Sequence, residues 1–268
     1  MKHVYLSPHL DDAVMSCGGI IHRQASSDDQ VLVITIFAGD HQGGEPSPFA
    51  LVQHGYWGNP PHPMLLRRAE DTAALALLGA NVCHLDYLDA VYRAAPNGEW
   101  LYADEESLWQ SVSPDDPLAR EEGQAMADQL GRLLLPADQT VVYAPLGVGR
   151  HVDHQIVHAA ARGLLQKGYR LAFYEEVPYA MTPGATELAV TAAGAENWEA
   201  DPVALAPDDL AAKVSALSYY RSQMYVLFGG IENMPSRIWA FAASRVPGIG
   251  LAEQLWWLPA RANEGQIR

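Results

Sequence analysis

Residues 30–37, QVLVITIF, form a nearly continuous apolar run that is typical of a strand buried on both faces of a parallel sheet. A shorter run at 3–6, HVYL, predicts another strand, and the stretch 13–25 between the two predicts a helix. Because a strand, a helix and a second strand follow in this order, the beginning of the chain predicts a β-α-β unit.

The same alternation of strands and helices continues along the chain. We expect helices at 64–78, 121–135 and 153–166, and strands at 82–85, 140–145 and 170–174. Gly79 and Pro136 follow the first two of these helices, at positions where glycine and proline commonly end a helix. The sequence therefore predicts an α/β fold that is Rossmann-like, with a mostly parallel sheet flanked by helices.

The carboxyl-terminal part of the chain is less regular. The segment 187–191, a helix at 207–220 and the aromatic-rich stretch 252–258 are expected to complete and cover the sheet. No internal repeat, low-complexity stretch or long linker divides the chain, so we expect residues 1–268 to form one domain. Two long connections, at about 40–63 and 92–119, are expected to lack regular structure.

The composition argues against several classes of protein. Of the 268 residues, 49% are hydrophobic and 18% charged, which can fill a sizeable core. A net charge of -15 argues against a nucleic-acid partner, because such a partner requires basic residues to displace counterions. No apolar run approaches the ~20 residues of a membrane span. The start MKHVY lacks an apolar signal region, so we expect no membrane association and a cytoplasmic location.

The two cysteines, Cys17 and Cys83, fall inside predicted elements of secondary structure. Nothing in their spacing indicates a disulfide framework. We interpret Cys17 as a small buried apolar residue, since a catalytic thiol would need a paired base.

Polar residues gather at the ends of two predicted strands. The run 7–12, SPHLDD, follows the strand at 3–6, and the run 151–154, HVDH, follows the strand at 140–145. The carboxyl ends of parallel strands meet at one edge of a sheet, so we expect the two runs to converge. Asp11 or Asp12 could instead cap the helix that follows, but the second polar run favours a shared site.

His9, Asp12 and His154 offer two ring nitrogens and one carboxylate oxygen, a set typical of catalytic zinc sites that keep an open position for water. We expect Zn²⁺ there, with Fe²⁺ or another divalent ion as the alternative, since imidazole and carboxylate ligands suit both. Asp11 is not needed as a ligand in this set. Because it lies next to the expected ligand Asp12, its carboxylate can accept a proton from water at the metal. This pattern indicates metal-assisted hydrolysis.

These motifs resemble those of the PIG-L/LmbE-like zinc-dependent N-acetylglucosaminyl deacetylases. The run 9–12 is similar to the family's His-Pro-Asp-Asp signature, with Leu10 in place of proline, and the run 151–154 is similar to its second motif. Further similarity lies at 67–70 and 78–79, which resemble an early helix, at 175–179, which resembles a late strand, and at 213–223, which resembles a later helix. Leu10 is not one of the expected ligands, so the expected chemistry is retained.

The resemblance implies roles for three more residues. His151 would act as electrophile and proton donor, and Asp153 would hold the imidazole oriented and charged. Arg67 would bind sugar hydroxyls or an attached phosphate through its planar guanidinium group. An alternative for Arg67 is a surface residue paired with Glu70 or Asp71.

We therefore expect a zinc-dependent N-deacetylase that removes an N-acetyl or other N-acyl group from an amino sugar or its conjugate, by attack of a zinc-bound water with Asp11 as base. The expected partner is a small-molecule amino-sugar substrate, and the sequence leaves homo-oligomerisation open. Alternatives are an amidase acting on a thiol-sugar conjugate and a non-catalytic metal- or carbohydrate-binding protein. The aromatic side chains of the two long connections either stack on the sugar or pack as local cores.

Two other functions fit the sequence less well. No Gly-x-Gly-x-x-Gly run follows a strand, which argues against a dinucleotide-binding enzyme. His154 and His158 have the spacing of a zinc protease helix, but Gln155 stands where that mechanism needs glutamate. We expect His158 to pack or to support the site indirectly.

Overall fold

A seven-stranded sheet lies at the centre of the computed structural model, which describes residues 1–119, 121–134, 136–193 and 198–258. The strands, in chain order, are β1 (Lys2–Ser7), β2 (Gln30–Thr35), β3 (Asn81–His84), β4 (Thr140–Pro145), β5 (Arg170–Tyr174), β6 (Glu199–Ala204) and β7 (Ala252–Trp257). Side by side they follow the order β3-β2-β1-β4-β5-β7-β6.

The first five strands are parallel to one another, and β7 runs antiparallel to β5 on one side and to β6 on the other. This arrangement confirms the predicted α/β fold with a mostly parallel sheet. From β1 the chain passes to β2 on one side and later returns to β4 on the other, so β1 and β4 are neighbours, with Lys2 opposite Thr140. Such a switch point is where open α/β sheets form their ligand sites.

Helices cover both faces of the sheet. They are α1 (Asp12–Ser26), α2 (Pro48–Tyr56), α3 (Pro63–Leu77), α4 (Glu105–Leu108), α5 (Glu121–Leu133), α6 (Val152–Leu165), α7 (Ala185–Ala192), α8 (Pro207–Leu217), α9 (Arg221–Phe228) and α10 (Met234–Ser244). One hydrophobic core contains side chains of α1, α3, α8, α9 and α10, and the other contains side chains of α5, α6 and α7. Within the described ranges, no helix is both long and apolar enough to cross a membrane.

The central strands supply side chains to both cores, as the continuous apolar runs predict. In β1, Tyr5 packs into the first core, while Val4 and Leu6 pack into the second, and all three are buried. Successive side chains along a strand point to opposite faces of the sheet. A strand that is covered on both faces must therefore be apolar along its whole length.

The prediction that the two long connections lack regular structure is wrong. The first contains α2, where the side chain of Ser47 accepts the N–H of Ala50 and Pro48 occupies the first turn. The second contains α4, which Asp104 caps by accepting the N–H of Ser107. Both helices begin with capping residues that favour a helix start.

A third hydrophobic cluster lies beside the polar runs and is built largely from the two connections. Trp57, Tyr92 and Tyr102 are buried in it and pack with Leu10 and Val152. Tyr92 and Tyr102 therefore pack as a local core, whereas Tyr56, Trp57 and Trp109 also line a cavity, and for these three the two alternatives stay predictions. Leu10, which replaces the family's proline, is 1% exposed and supplies apolar contact to this cluster.

The carboxyl-terminal part differs most from the sequence-based expectation. The edge strand β6 was not predicted, the segment 187–191 lies in helix α7, and the helix expected to end at 220 ends at Leu217. The segment 175–179, expected to be a strand, follows β5 and contains a cis peptide bond between Val177 and Pro178. Leu135, the predicted end of a helix, lies outside the described residues.

The environments of the two thiols predict their reactivity. Cys17 is 1% exposed, and burial raises the pKa of its thiol well above the ordinary value, whereas Cys83 is only half-buried. Because a thiolate is the reactive species, Ellman's reagent should modify Cys83 in the native protein and Cys17 only after unfolding. The variant Cys83→Ser should show no rapid reaction until denaturant is added; rapid reaction of its native form would contradict the assignment.

Candidate functional site

The turn after β1 places His9, Asp11 and Asp12 at the carboxyl end of the sheet. Ser7 holds this turn, because its hydroxyl donates to the carbonyl of His9 at 2.7 Å and accepts the N–H of Ala13 at 3.0 Å. The Asp11 side chain makes no capping hydrogen bond, and the Asp12 carboxylate accepts the N–H of His9 at 2.8 Å. The capping alternative for these two aspartates is therefore wrong for this turn.

The turn after β4 brings the second polar run to the same place. Its backbone has positive φ at Gly147, Gly149 and Arg150, which turns the chain sharply before α6 begins. His151 caps α6, because its Nδ1 accepts the N–H of Asp153 at 3.2 Å. In a neutral ring whose Nδ1 accepts a hydrogen bond, the single proton lies on Nε2.

His9, Asp12 and His154 meet as the sequence predicts. Oδ2 of Asp12 lies 3.2 Å from Nδ1 of His9 and 3.2 Å from Nε2 of His154. The other nitrogen of each ring contacts a second carboxylate: Nε2 of His9 lies 3.0 Å from Oδ2 of Asp153, and Nδ1 of His154 lies 3.2 Å from Oε1 of Glu176. With the protons on those outer nitrogens, both inner nitrogens have a free lone pair directed toward the Asp12 oxygen.

The two contacts of the Asp12 oxygen suit neighbouring ligands of a divalent cation. Nε2 of His154 is buried and has no hydrogen-bond partner among the described residues, although the Asp12 oxygen lies close to it. Tetrahedral ligands at about 2.0–2.1 Å from Zn²⁺ lie roughly 3.3 Å from one another, which agrees with the two spacings around Asp12. A carboxylate on the far side of each histidine is the usual support of a metal-binding imidazole.

Among the described residues, two groups of three metal-capable side chains have ligand atoms that all lie within 4.8 Å of one another. One is His9, His151 and His154, and the other is His9, Asp89 and Asp153, so Asp12 belongs to neither. The His151 ring centroid is 4.9 Å from that of His9, so this histidine is adjacent to the expected ligands. Its part as a proton donor rather than a ligand remains a prediction.

The site is built to stabilise positive charge. Burial lowers the pKa of His154, but the carboxylates of Asp12 and Glu176 outweigh it and raise this pKa to about 9. For His9, burial is likewise outweighed by Asp12 and Asp153, and its pKa is raised. Buried carboxylates without compensating positive charge are costly, so either protonated imidazoles or a cation must be present.

The carboxylate of Asp153 contacts His9, whereas His151 accepts the backbone N–H of Asp153, which corrects the side-chain role expected from the resemblance. Its carboxylate accepts from His9 Nε2 and from the N–H of Ala90, and it forms an ion pair of 2.6 Å with Arg93. Burial raises the pKa of Asp153, but Arg93 and His9 outweigh it and hold the pKa well below its usual range. Burial lowers the pKa of His151, the nearby His9 adds to the effect, and Asp153 acts in the opposite direction without outweighing them.

Arg93 belongs to a buried chain of contacts inside the second long connection. Its Nε donates to Oδ2 of Asp116 at 3.0 Å, and the hydroxyl of Tyr102 donates to the same oxygen at 2.7 Å. The arginine side chain is 4% exposed and that of Asp116 is fully buried. The connection thus anchors Asp153, and through it the ring of His9.

Asp11 is buried beside the three expected ligands and is not one of them. Burial and the charge of Asp12 raise the pKa of Asp11 to about 7, while Arg67 acts in the opposite direction. A carboxyl group whose pKa is close to the working pH suits a general base.

Arg67 lies in the floor of the site, not on the surface. Its guanidinium is 4.0 Å from the Asp11 carboxylate, 3.8 Å from that of Asp89, and stacked on Trp57 with 4.7 Å to the ring centroid. Glu70 and Asp71 have other partners, because Glu70 accepts from Ser222 and Asp71 from Tyr220. The surface-pairing alternative for Arg67 is therefore wrong.

The structure adds site residues that the sequence did not reveal. Glu176 orients His154, Asp89 contacts Arg67, and Trp109 packs edge-on against His151 with 5.1 Å between ring centroids. Asp89 follows β3, so the strand-end argument could have found it. His158, by contrast, lies beneath the site with its Nδ1 2.9 Å from the carbonyl oxygen of Pro145, consistent with the packing role expected for it.

A cavity of about 520 Å³ opens over these groups. His9, Asp11, Asp12 and His151 line it beside Arg67 and Asp89, and the remaining lining comes mainly from α2, α4, α9 and the segment 177–179. A volume of this size is in the range of sites for small organic molecules, roughly 300–1,000 Å³.

Removal of Arg93 should destabilise the protein strongly. Arg93→Met leaves Asp116 and Asp153 buried without their cation, and breaking a buried ion pair in this way costs about 3–5 kcal/mol. The control Lys167→Met, which breaks an exposed pair with Asp128, should cost about 1 kcal/mol or less. Urea unfolding followed by circular dichroism measures both, and equal losses would contradict the buried network.

Comparison with known proteins agrees with the geometry. The family model described as PIG-L, GlcNAc-PI de-N-acetylase, matches residues 4–165. The 2'-N-acetylparomamine deacetylases of Streptomyces fradiae and Niallia circulans are 29% and 28% identical over 67% and 66% of this chain. These alignments span 58% and 66% of the two relatives, less than two thirds of either.

A solved structure is similar over nearly the whole length. The zinc-inhibited form of teicoplanin deacetylase Orf2 is 31% identical, covers 99% of this chain and 100% of its own, and superposes with a TM-score of 0.84. Its similarity therefore includes the carboxyl-terminal part that the family model does not match.

Proposed function

The chain belongs to the PIG-L family of de-N-acetylases, and from this premise we propose that it hydrolyses an N-acetyl or related N-acyl group on an amino sugar or amino-sugar conjugate. The observation that carries the proposal is that Oδ2 of Asp12 lies 3.2 Å from Nδ1 of His9 and 3.2 Å from Nε2 of His154, with the buried Asp11 carboxyl group next in sequence. Relatives named as deacetylases support the same reaction.

The residues that would hold the cation are His9, Asp12 and His154. When bound, a divalent cation polarises the amide carbonyl and lowers the pKa of water beside it. We propose Zn²⁺, with Fe²⁺ as the alternative, because two imidazoles and one carboxylate suit either ion. The related teicoplanin deacetylase is described in a zinc-inhibited form, so the metal must be tested at stoichiometric and at excess concentrations.

Asp11 is the proposed general base. It lies next in sequence to the ligand Asp12, it is buried, and its carboxyl group is not committed to capping the helix. It would accept a proton from the attacking water and is then the group that can return a proton to the leaving amine. Arg67, 4.0 Å away, would hold this carboxylate in place and contact the sugar from the floor of the cavity.

His151 is the proposed donor to the carbonyl oxygen. Its Nδ1 is occupied by the N–H of Asp153, so in the neutral ring the proton on Nε2 is the one available to the cavity. A donor fixed before the reaction stabilises the oxyanion at little reorganisation cost. Asp153 would act on the other side of the site, where it orients His9 and is itself held by Arg93.

Metal removal should abolish activity. Protein treated with a chelator should release no acetate from N-acetylated amino sugars, and about one equivalent of Zn²⁺ or Fe²⁺ should restore turnover. Asp12→Asn and His154→Asn should lose bound metal in elemental analysis, because each removes one of three ligands. Full activity of metal-free protein, or a wild type that binds no metal, would rule out the proposed reaction.

Replacement of Asp11 should separate metal binding from turnover. Asp11→Asn should retain about the wild-type metal content and lose roughly 10²- to 10⁴-fold in kcat, the usual contribution of a general base. The control Asp115→Asn changes an exposed carboxylate and should leave kcat unchanged. Wild-type kcat in Asp11→Asn would show that the base lies elsewhere, and loss of metal would make Asp11 a ligand.

A further inference from the structure

One face of helix α3 fixes the start of α9. Glu70 and Asp71 lie three and four positions after Arg67, so the three side chains share one face of the helix. Glu70 accepts the backbone N–H of Ser222 at 3.0 Å and its hydroxyl at 2.6 Å, and Asp71 accepts the hydroxyl of Tyr220 at 2.7 Å. All five residues are buried, so water does not compete for these hydrogen bonds. The start of α9 is therefore held in one place relative to Arg67.

Gln223, the residue after Ser222, directs its amide oxygen at two donors. Nε of Arg67 and Nε1 of Trp57 donate hydrogen bonds and cannot accept them. With the amide oriented to satisfy both, its oxygen accepts from Arg67 at 3.3 Å and from Trp57 at 3.1 Å. The opposite orientation would place the amide N–H groups against both donors. Gln223 is 8% exposed, so unpaired donors there would be costly, and the amide has one favourable orientation.

This oxygen sets the orientation of the Arg67 guanidinium. Among the described residues, Gln223 accepts the only hydrogen bond that Arg67 donates. The terminal nitrogens of Arg67 lie 4.0 Å from Asp11 and 3.8 Å from Asp89, too far for a hydrogen bond. The guanidinium group is planar, so the bond at Nε and the stacking on Trp57 together leave it little freedom to turn. Its terminal N–H groups thus remain available to a ligand in the cavity, which Arg67 lines.

We propose that Gln223 is a positioning residue, which orients Arg67 so that its terminal N–H groups bind the oxygens of the amino sugar. The inference rests on the proposed function, because there Arg67 contacts the sugar from the floor of the cavity. A donor that is oriented before the sugar arrives loses less freedom on binding. Since Gln223 acts through Arg67, its contribution should disappear when Arg67 is replaced. A residue that contacted the sugar directly would contribute with or without Arg67.

A double-mutant cycle tests this dependence, with metal-loaded protein and the methyl β-glycoside of N-acetylglucosamine as substrate. Gln223→Met removes the acceptor and should lower kcat/KM roughly 10-fold, the scale of one hydrogen bond to a charged group. In the Arg67→Met background the same replacement should change kcat/KM by less than about 2-fold, because the effects of interacting residues are not additive. An equal loss in both backgrounds would overturn the proposal, since a direct sugar contact or general damage to the fold produces that result.

Two further variants show whether the amide oxygen is responsible. Gln223→Glu retains a side-chain oxygen and should recover kcat/KM to within about 3-fold of the wild type. The control Gln139→Met changes an exposed glutamine and should leave kcat/KM unchanged in both backgrounds. If Gln223→Glu is impaired as strongly as Gln223→Met, the oxygen has no positioning role. Circular dichroism and metal content establish that each variant is folded and loaded.

Hydrogen exchange at Arg67 separates the inference from the proposed reaction. The Nε–H signal of Arg67, identified in ¹H–¹⁵N NMR spectra by its absence from Arg67→Met, reports the bond to Gln223 and needs no turnover. We expect slow exchange with solvent in the wild type and in Gln223→Glu, and exchange roughly 10-fold faster in Gln223→Met.

The wild type alone decides the proposal even where a variant fails to fold. Fast exchange of the Arg67 Nε–H in the wild type, together with hydrolysis of the glycoside, would overturn the positioning role and leave the deacetylase proposal intact. Slow exchange without hydrolysis of any N-acetylated sugar would support the orientation of Arg67 by Gln223 and overturn the deacetylase proposal.

Discussion

Two carboxylate–imidazole contacts determine the geometry of the candidate site. Asp153 contacts the outer nitrogen of His9, and Glu176 contacts the outer nitrogen of His154, so both inner nitrogens face the same oxygen of Asp12. If either carboxylate were absent, the ring could rotate or carry its proton on the inner nitrogen, and a cation would lose a ligand. The protein stabilises this arrangement with backbone donors to Glu176 and with Arg93 beside Asp153.

The second long connection, at about 92–119, stabilises the contact between Asp153 and His9. Arg93 and Asp116 are buried charges, and Tyr102 completes the hydrogen bonding of Asp116. Buried ion pairs add little net stability over apolar packing, but removal of one partner is costly. The connection is therefore a structural support for His9: Tyr102 packs beside Arg93, while Trp109 packs against His151 and lines the cavity.

Much of the sheet could be predicted because its strands are covered on both faces. Such strands must be apolar along their whole length, so β2 and β4 are visible as continuous runs. The edge strand β6 gives no such signal, because it is largely exposed and contains Pro202, which edge strands tolerate. The helix α2 differs from the prediction for the connection at about 40–63, although Ser47 and Pro48 form a helix start that the sequence already contains.

The convergence of His9, Asp12 and His154 followed from the rule that strand ends meet, but their supporting partners did not. Arg93 contacts Asp153 and Glu176 contacts His154, but both pairs are far apart in sequence, so the spacing of residues in the sequence does not predict them. The resemblance implies that the Asp153 carboxylate orients His151, yet that carboxylate contacts His9, and His151 accepts the backbone N–H of Asp153 instead. Diffraction data collected at the absorption edge of the loaded metal test the central claim most directly. The account predicts one anomalous peak bonded to Nδ1 of His9, Oδ2 of Asp12 and Nε2 of His154; a peak bonded to His151, or one between Nε2 of His9 and Asp89, would contradict it.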